Sequence, residues 1–217
     1  MTKQHIDDQN TFGSFSLQTE YGDIFDCVDI YKQLAFDHPL LKNHTLLATQ
    51  GTFYGTKVTM DLWTPQVSSD RMFSLSQYLI IGGPVESFSS IESGWMDANG
   101  SWWLYYNDYA LGYFPRDLLP GLGSGPATSV GWGGETYSPT NVCPPMGSGH
   151  FPDEGVRKAG FMRGIKVMNQ TRQPEDAPLN TSTIVDIPQN YRVVDPKVIS
   201  PEPDGRSFFY GGPGGNC

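Results

Sequence analysis

The sequence predicts an all-β protein, an antiparallel β-sandwich of two packed sheets with a partly irregular N-terminal segment. Three observations favour this fold class. Apolar and polar residues alternate with the two-residue period of a half-buried strand, as in residues 52–63. Aromatic residues, which favour strands, make up 13% of the chain, and 25 glycines and 17 prolines interrupt the apolar runs. At 217 residues the chain can bury one sizeable core.

The strand candidates follow one another from residue 52 onward. The first covers residues 52–63, where Val58, Met60 and Leu62 share one parity. The second repeats the alternation near residues 73–81 and is interrupted by Gln77. Further candidates lie at residues 88–95, 102–107, 110–114, 128–137 and 161–168, and one helical turn is predicted at residues 116–119.

Two segments lack this strand pattern. Residues 1–48 mix acidic and apolar residues, and taken by themselves they predict a solvated N-terminal extension. Residues 170–206 contain six prolines, and we expect them to run as a long surface segment. The first eight residues are polar and have no apolar signal-peptide core, so we expect no signal peptide in this chain.

Charge and cysteine content exclude several classes of function. A formal net charge of -9 argues against nucleic acid as a partner, because phosphate contacts need Lys and Arg. No stretch is long enough to span a membrane, so we expect no membrane association. The three cysteines, Cys27, Cys143 and Cys217, cannot all pair within one chain, and no disulfide framework is predicted. Mild support for secretion comes from four N-glycosylation sequons, which begin at Asn43, Asn99, Asn169 and Asn180.

Two glutamates stand beside glycine and tryptophan in strand-like settings. One is Glu92, in the patch Ile91-Glu92-Ser93-Gly94-Trp95, and the other is Glu135, in Gly131-Trp132-Gly133-Gly134-Glu135. Successive side chains of a strand point to opposite faces of its sheet. If Trp132 faces the core, Glu135 therefore faces away from it, on a surface that Gly133 clears of bulk. Such a groove suits an extended peptide.

A pair of carboxyl groups can perform acid–base chemistry on a peptide bond. One ionised Glu takes a proton from the attacking water, while the other, kept protonated, donates to the carbonyl oxygen or the leaving amine. Two neighbouring carboxyls do not both ionise readily, so they share a proton and an acidic optimum is expected. Parity and spacing leave open which Glu has which role, and they equally allow two solvated strand glutamates.

Other catalytic motifs are absent from the sequence. It contains no serine-hydrolase elbow, no zinc motif and no phosphate loop. His38 and His44 with Asp37 have only loose metal-ligand spacing, and we assign no metal site.

The two glutamate patches resemble those of the neprosin family of plant glutamic peptidases, which use two glutamates in the settings Ile-Glu-x-Gly-Trp and Trp-Gly-Gly-Glu. Further runs match in the same order and cover most of the chain from Gly51 onward. They are Tyr54-Gly55-Thr56-Lys57, Phe73-Ser74-Leu75-Ser76-Gln77, Asn107-Asp108-Tyr109-Ala110-Leu111-Gly112-Tyr113, Met146-Gly147-Ser148-Gly149-His150-Phe151-Pro152 and Tyr210-Gly211-Gly212-Pro213-Gly214.

The resemblance implies a domain organisation and an activity. Residues 1–48 would be the remnant of a pro-region or activation peptide, and residues 49–217 the catalytic β-sandwich. The expected activity is hydrolysis of peptide bonds on the carboxyl side of proline at acidic pH, without cofactor or metal. The expected partner is a proline-containing peptide or protein, acted on by a monomer. By resemblance the protein would be a glycoprotein of the secretory pathway, the vacuole or the extracellular space.

The resemblance also assigns site residues. Glu92 and Glu135 fall on the two catalytic positions. Gln77 is a candidate for positioning the water or the oxyanion, although a strand glutamine hydrogen-bonded near the core is an equally good interpretation. Substrate binding is assigned to Gln77, Trp95, Trp132, Gly133 and Tyr137, while core packing is the general default for any single aromatic residue.

The chain departs from the family in two places. Only Met96-Asp97-Ala98-Asn99 lies between Trp95 and Gly100, where family members have several further strands, so we expect an incomplete sandwich with uncovered edges. Cys217 matches a terminal cysteine that normally bonds an earlier one, yet the matching neighbourhood reads Gln189-Asn190-Tyr191, so we expect that disulfide to be missing.

Two alternatives to an active peptidase follow from these features. The first is an inactive, truncated family member. The second is a non-catalytic sandwich that binds carbohydrate or cell-wall polymer through exposed aromatic residues in the runs Trp102-Trp103 and Tyr105-Tyr106. A row of exposed aromatic side chains on one face would favour the binding module, and paired carboxylates in a groove would favour the peptidase.

Overall fold

The structure is a computed structural model that describes residues 15–18, 24–27, 42–69, 71–84, 88–91, 95–107 and 109–217. The chain divides into two compact units, Met1–Leu41 and Lys42–Cys217. In the first unit, strands β1 (Phe15–Gln18) and β2 (Ile24–Cys27) form an antiparallel hairpin.

The second unit contains fifteen strands and one short helix among its described residues. The strands are β3 (Lys42–Phe53), β4 (Thr56–Met60), β5 (Phe73–Gly82), β6 (Ser89–Ile91), β7 (Trp95–Met96), β8 (Trp102–Tyr106), β9 (Tyr109–Phe114), β10 (Ala127–Tyr137), β11 (Val142–Cys143), β12 (Gly160–Met168), β13 (Pro174–Asp176), β14 (Ser182–Val185), β15 (Arg192–Val194), β16 (Phe208–Gly211) and β17 (Gly215–Asn216). The helix α1 (Pro120–Gly123) follows a 3₁₀ turn at Arg116–Leu118, and a second 3₁₀ turn lies at Pro152–Glu154.

All strand pairs in the two principal sheets are antiparallel, which confirms the predicted all-β sandwich. One sheet has five strands in the order β14-β3-β10-β5-β6. The other has the order β13-β12-β16-β15, with β4 also paired to β12. A three-stranded sheet, β7-β8-β9, and the small pair β11–β17 complete the unit. The core contains fully buried side chains of both principal sheets, among them Trp132, Ile80, Met162 and Phe208.

The single strand predicted at residues 52–63 is wrong. The chain leaves the five-stranded sheet when β3 ends at Phe53, and it enters the other sheet when β4 begins at Thr56. Gly55 makes this crossing with a φ of 152°, a conformation that favours glycine. Leu62, expected in the same strand, lies beyond β4 and is 82% exposed.

The surface segment expected at residues 170–206 is also more structured than predicted. It contributes β14 to the edge of the five-stranded sheet and β15 to the edge of the other. Arg206, fully buried, forms an ion pair with Asp195, with the Arg Nη1 atom 2.7 Å from the Asp Oδ1 atom. A second donor, the Thr181 hydroxyl, reaches the other oxygen of Asp195. These buried contacts of Asp195 hold three parts of the proline-rich residues 170–206 together.

The disulfide that the family has between Cys217 and the Gln189-Asn190-Tyr191 neighbourhood is replaced by a bond between Cys217 and Cys143. Their main chains meet through the pairing of β11 with β17, where Cys143 lies opposite Gly215, and their Cα atoms are 5.6 Å apart. Asn190 lies nearby and donates a hydrogen bond to the main-chain oxygen of Asn216. Cys217 is therefore bonded to Cys143 and not to a residue in the Gln189-Asn190-Tyr191 neighbourhood.

The predicted division between a pro-region and a catalytic domain after residue 48 stays a prediction. In the structure this position lies inside β3, which is paired along its length with β10 and, over Thr45–Ala48, with β14. The division between the compact units falls seven residues earlier, between Leu41 and Lys42. Within the described part of the chain, no helix is long and apolar enough to cross a membrane.

Candidate active site

Strand β10 brings Glu135 to the middle of the five-stranded sheet, between β3 and β5. Glu135 lies opposite His44 of β3 and opposite Leu75 of β5, and Gly133 lies opposite Gln77. Directly opposed residues of antiparallel strands project from the same face of the sheet, and so do residues two apart on one strand. Glu135, Gln77 and His44 are therefore neighbours on one face.

The opposite face of the sheet belongs to the core. Trp132, three residues before Glu135, is fully buried there, and its indole Nε1 donates a hydrogen bond to the Thr56 hydroxyl at 3.0 Å. Val130 is also fully buried. The parity argument therefore holds: the strand that carries Trp132 inward turns Glu135 away from the core.

The carboxylate of Glu135 is nevertheless buried, and it is hydrogen-bonded to Gln77. The Gln77 amide Nε2 donates to the Glu135 Oε2 atom at 2.9 Å, and the two residues are only 3% and 4% exposed. The other amide atom of Gln77, Oε1, is buried and has no hydrogen-bond partner among the described residues. Because buried polar atoms are nearly always paired, an amide oxygen in this position is suited to accept from a bound water or substrate.

His44 is the second described group that approaches the Glu135 carboxylate. Its Nε2 atom lies 3.5 Å from Glu135 Oε2, and its Nδ1 atom lies 3.3 Å from Asp186 Oδ2. The imidazole thus stands between two carboxylates. Hydrogen bonding to Glu135, together with the charges of Glu135 and Asp186, raises the pKa of His44 above its usual value against the opposing effect of partial burial.

Gly133 is required by a close approach of the neighbouring strand. Its φ is 150°, and a Cβ atom placed on it would lie 2.1 Å from the main-chain oxygen of Thr45. Gly133 was expected to make room for a substrate, but the backbone that comes close to it is that of β3. Gly131, two residues earlier, has ordinary room, since its nearest neighbour would be 3.7 Å away.

Of the remaining predicted site residues that the structure describes, Tyr137 lies on the face of Glu135, and Trp132 and Trp95 lie elsewhere. Glu92 and Gly94 lie outside the described residues. Tyr137 shares the face of Glu135 and stacks on Phe73 with ring centroids 5.5 Å apart. Trp132 is in the core on the opposite face, so it does not line this site. Trp95 lies in β7 of the three-stranded sheet, where it pairs with Trp103.

A surface cleft lies along β5, and its lining residues Ser74 and Ser76 project from the face of the sheet opposite to Glu135, because they alternate with Leu75 and Gln77. One of its walls is Leu75, the register partner of Glu135 in β5, and another is the indole of Trp63, which is 46% exposed. Asp61 holds that indole by accepting a hydrogen bond from its Nε1 atom at 2.6 Å. The remaining lining residues are Leu62, Pro65, Ser74, Ser76 and Gly147.

One hydroxyl group of this cleft, that of Ser76, is anchored to the second sheet. Ser76 hydrogen-bonds to the Tyr210 hydroxyl, whose pKa is raised by burial. Burial likewise raises the pKa of Asp61. The cleft therefore combines an apolar wall, an exposed indole and small hydroxyl side chains.

Sequence reasoning missed His44 and Asp186 as members of the site. His44 belongs to the segment assigned to the pro-region, and Asp186 to the expected surface segment, 142 positions away. Neither stands in a motif, and only the register of β3 with β10 and β14 brings them together. No signal in a single sequence reveals such a pair.

The arrangement is suited to proton transfer. It offers a buried carboxylate, an amide that fixes it, and an imidazole whose charge depends on pH. Among the described residues, no group of three or more metal-ligating side chains could hold a metal ion.

Comparison with protein families gives two matches that follow each other along the chain. The neprosin activation peptide matches residues 16–73, which include His44, and the neprosin domain matches residues 96–213, which include Glu135. Residues 74–95, with Gln77 and Glu92, lie between the two matches. Since the neprosin domain covers more than half of the 217 residues, the chain belongs to the neprosin family, a family of peptidases.

Proposed function

We propose that this protein is a glutamic endopeptidase that cleaves on the carboxyl side of proline at acidic pH, with Glu92 and Glu135 as the catalytic pair. The observation that carries the proposal is the buried hydrogen bond between Glu135 and Gln77, which holds a carboxylate in fixed geometry. Ile91, directly before Glu92, pairs with Ile80 of β5, the strand that carries Gln77.

The reaction needs both carboxyl groups and one water. The ionised carboxylate takes a proton from water as the water oxygen bonds to the scissile carbonyl carbon, and the protonated carboxyl donates its proton to the carbonyl oxygen. In the resulting tetrahedral intermediate the carbon–nitrogen bond breaks. The nitrogen leaves with the proton that came from water, and one hydroxyl returns its proton to the second carboxylate. The pair is regenerated and one water has been consumed.

Gln77 has a positioning role in this proposal. Its Nε2 atom fixes Glu135, and its buried Oε1 atom is available to accept a hydrogen bond from the attacking water.

The test is cleavage of a proline-containing peptide by the full-length protein between pH 3 and 7. Glu92→Gln and Glu135→Gln should each abolish cleavage while the fold, measured by circular dichroism, is retained. Glu175→Gln is the matched control, because Glu175 is an exposed carboxylate in β13 of the other sheet. It should cleave like the unaltered protein.

Two results would contradict the proposal. Cleavage that survives in either catalytic variant would exclude the two-carboxylate mechanism. Cutting at sites unrelated to proline, mapped by mass spectrometry of the products, would exclude the assigned specificity.

The setting of the activity belongs to the same proposal. An acidic optimum fits the vacuole, the secretory pathway or the extracellular space, and proline-rich proteins would be the substrates of a monomer. Expression of a fluorescent fusion and light scattering of the purified protein test these two statements.

A second candidate function is carbohydrate binding, and one feature of the three-stranded sheet favours it. Trp95, Trp103 and Tyr113 lie opposite one another across β7, β8 and β9, with Tyr105 beside them. Trp95 and Tyr113 are 38% and 55% exposed, whereas Trp102, expected among the exposed rings, is fully buried in the core. Flat exposed rings of this kind stack on sugar rings as well as on proline. Adsorption to insoluble plant polysaccharides, lost in a Trp95→Ala, Tyr113→Ala double variant, would support binding, and lack of adsorption would reject it.

A further inference from the structure

Strand β14 ends at Val185, and the next residue, Asp186, contacts both the main chain and the imidazole ring of His44. The Asp186 Oδ2 atom accepts the main-chain N–H of His44 at 2.8 Å and lies 3.3 Å from its Nδ1 atom. In return, the main-chain N–H of Asp186 donates to the carbonyl oxygen of His44 at 3.1 Å. Three contacts between two residues fix the direction of the imidazole, so that its Nε2 atom points towards Glu135.

Two donors thereby converge on one oxygen of Glu135. Gln77 approaches Oε2 at 2.9 Å and His44 approaches the same atom at 3.5 Å. A hydrogen bond donated to a carboxylate and a positive charge beside it both favour the ionised form. Gln77 supplies the first of these effects, and a protonated His44, 3.5 Å away, supplies the second.

We propose that Asp186 and His44 form a positioning pair that keeps Glu135 ionised, so that Glu135 is the base and Glu92 the acid of the reaction. The inference rests on the proposed function, and it extends that function by assigning the two roles that the sequence leaves open. His44 touches neither water nor peptide in this scheme and acts only through Glu135.

The charge state of the pair suits an acidic protease. Among the described residues, the titratable groups that act on His44 are Glu135 from β10 and Asp186 after β14, and both are acidic. Their influence raises the pKa of His44, so the imidazole is protonated throughout the acidic range. Above that range the positive charge is lost, and with it part of the preference of Glu135 for the ionised state.

The first test measures the pair directly, without any substrate. Histidine-selective NMR titration of the full-length protein should show one imidazole, assigned as His44 by its absence in His44→Gln, that titrates above the usual value for histidine. Glu135→Gln should lower this titration midpoint by about one pH unit. A His44 midpoint that is the same in the unaltered protein and in Glu135→Gln would overturn the proposal.

The second test measures the role of the pair in cleavage. When Glu135 loses its cationic neighbour in His44→Gln, the acidic limb of the kcat/KM profile should move to higher pH by about one unit, a tenfold loss on that limb. The plateau at higher pH should be much less affected. Asp186→Asn, which keeps the histidine, should move the limb in the same direction by a smaller amount.

His150→Gln is the matched control, because His150 also contacts a carboxylate, Glu154, but on an exposed loop. It should leave the profile unchanged. A loss of equal size at every pH in His44→Gln would mean that His44 is only structural, and an unchanged profile would exclude the pair from the reaction. If the unaltered protein cleaves no peptide, the proposed function fails, and the NMR titration alone decides whether the pair exists.

Discussion

The strongest prediction concerns where the chain can be shortened. We expect a protein that begins at Lys42 to fold and a protein that begins at Thr49 not to fold. The seven residues between these positions form the first part of β3, an internal strand paired with Gly131–Tyr137 of β10 on one side and with β14 on the other. Their removal would take away more than half of an internal strand, including all of its pairing with β14.

The size of the effect follows from what these residues bury. Leu46 and Leu47 are 5% and 1% exposed, and burial of a leucine side chain contributes about 1.5–3 kcal/mol. The main-chain hydrogen bonds to two neighbouring strands each add about 1 kcal/mol. The total exceeds roughly 6 kcal/mol, which is comparable to the whole stability of a typical domain at about 5–15 kcal/mol. The freed edges of β10 and β14 would in addition promote aggregation.

The assay is expression of residues 42–217 and 49–217, followed by circular dichroism and thermal unfolding. The longer protein should give a cooperative transition, because Lys42–Cys217 is a compact unit. The shorter protein should be insoluble or show no transition. A cooperative transition of the shorter protein within a few degrees of the longer one would refute the reasoning, and it would place the processing boundary where the sequence predicted it.

Three further predictions concern this sheet and the C-terminal disulfide. Gly133→Ala should destabilise the protein by roughly 3 kcal/mol, because the new methyl group meets the backbone of β3, while Gly131→Ala, with ordinary room, should cost about 1 kcal/mol or less in denaturant unfolding. Cys217→Ser should lower the free energy of unfolding by about 2–4 kcal/mol, because the bond to Cys143 closes a long loop, and equal stability with and without reductant would contradict this. The folded-state pKa of His44 is raised, so the protonated imidazole should stabilise the fold by about 0.5–1 kcal/mol. This stabilisation should be complete at pH values below the usual pKa of histidine, and it should disappear as the pH rises through the raised pKa. Urea titrations at several pH values should show this pH dependence in the unaltered protein and not in His44→Gln.

The strands with regular alternation were predictable. The predictions at residues 128–137 and 161–168 agree with β10 and β12 to within one residue, because both strands have one face in the core and their side chains alternate accordingly. The prediction at residues 52–63 failed because alternation reports which face of a strand is buried and not to which sheet the strand belongs. A crossing at a single glycine, Gly55, leaves the alternating pattern intact.

The faces of the sheet on which the side chains of β10 lie were predictable from the sequence. The parity of Trp132 and Glu135 places them on opposite faces whatever the neighbouring strands are, and the structure has this arrangement. Burial, in contrast, depends on every neighbour. Trp132 was assigned to substrate binding by its place in a motif, yet the same parity that places Glu135 on the outer face of the sheet places Trp132 in the core.

The sequence by itself determined the class of the protein: a β-sandwich of the neprosin family with Glu135 on the face turned away from the core. These properties reside in local alternation and in contiguous motifs, which do not depend on distant contacts. Only the tertiary structure decided which residues meet. The register of β3 with β10 brings His44 to Glu135, the end of β14 brings Asp186 to His44, and β17 brings Cys217 to Cys143. Strand register is the outcome of the whole sheet's packing, and a one-residue shift would send each of these side chains to the other face.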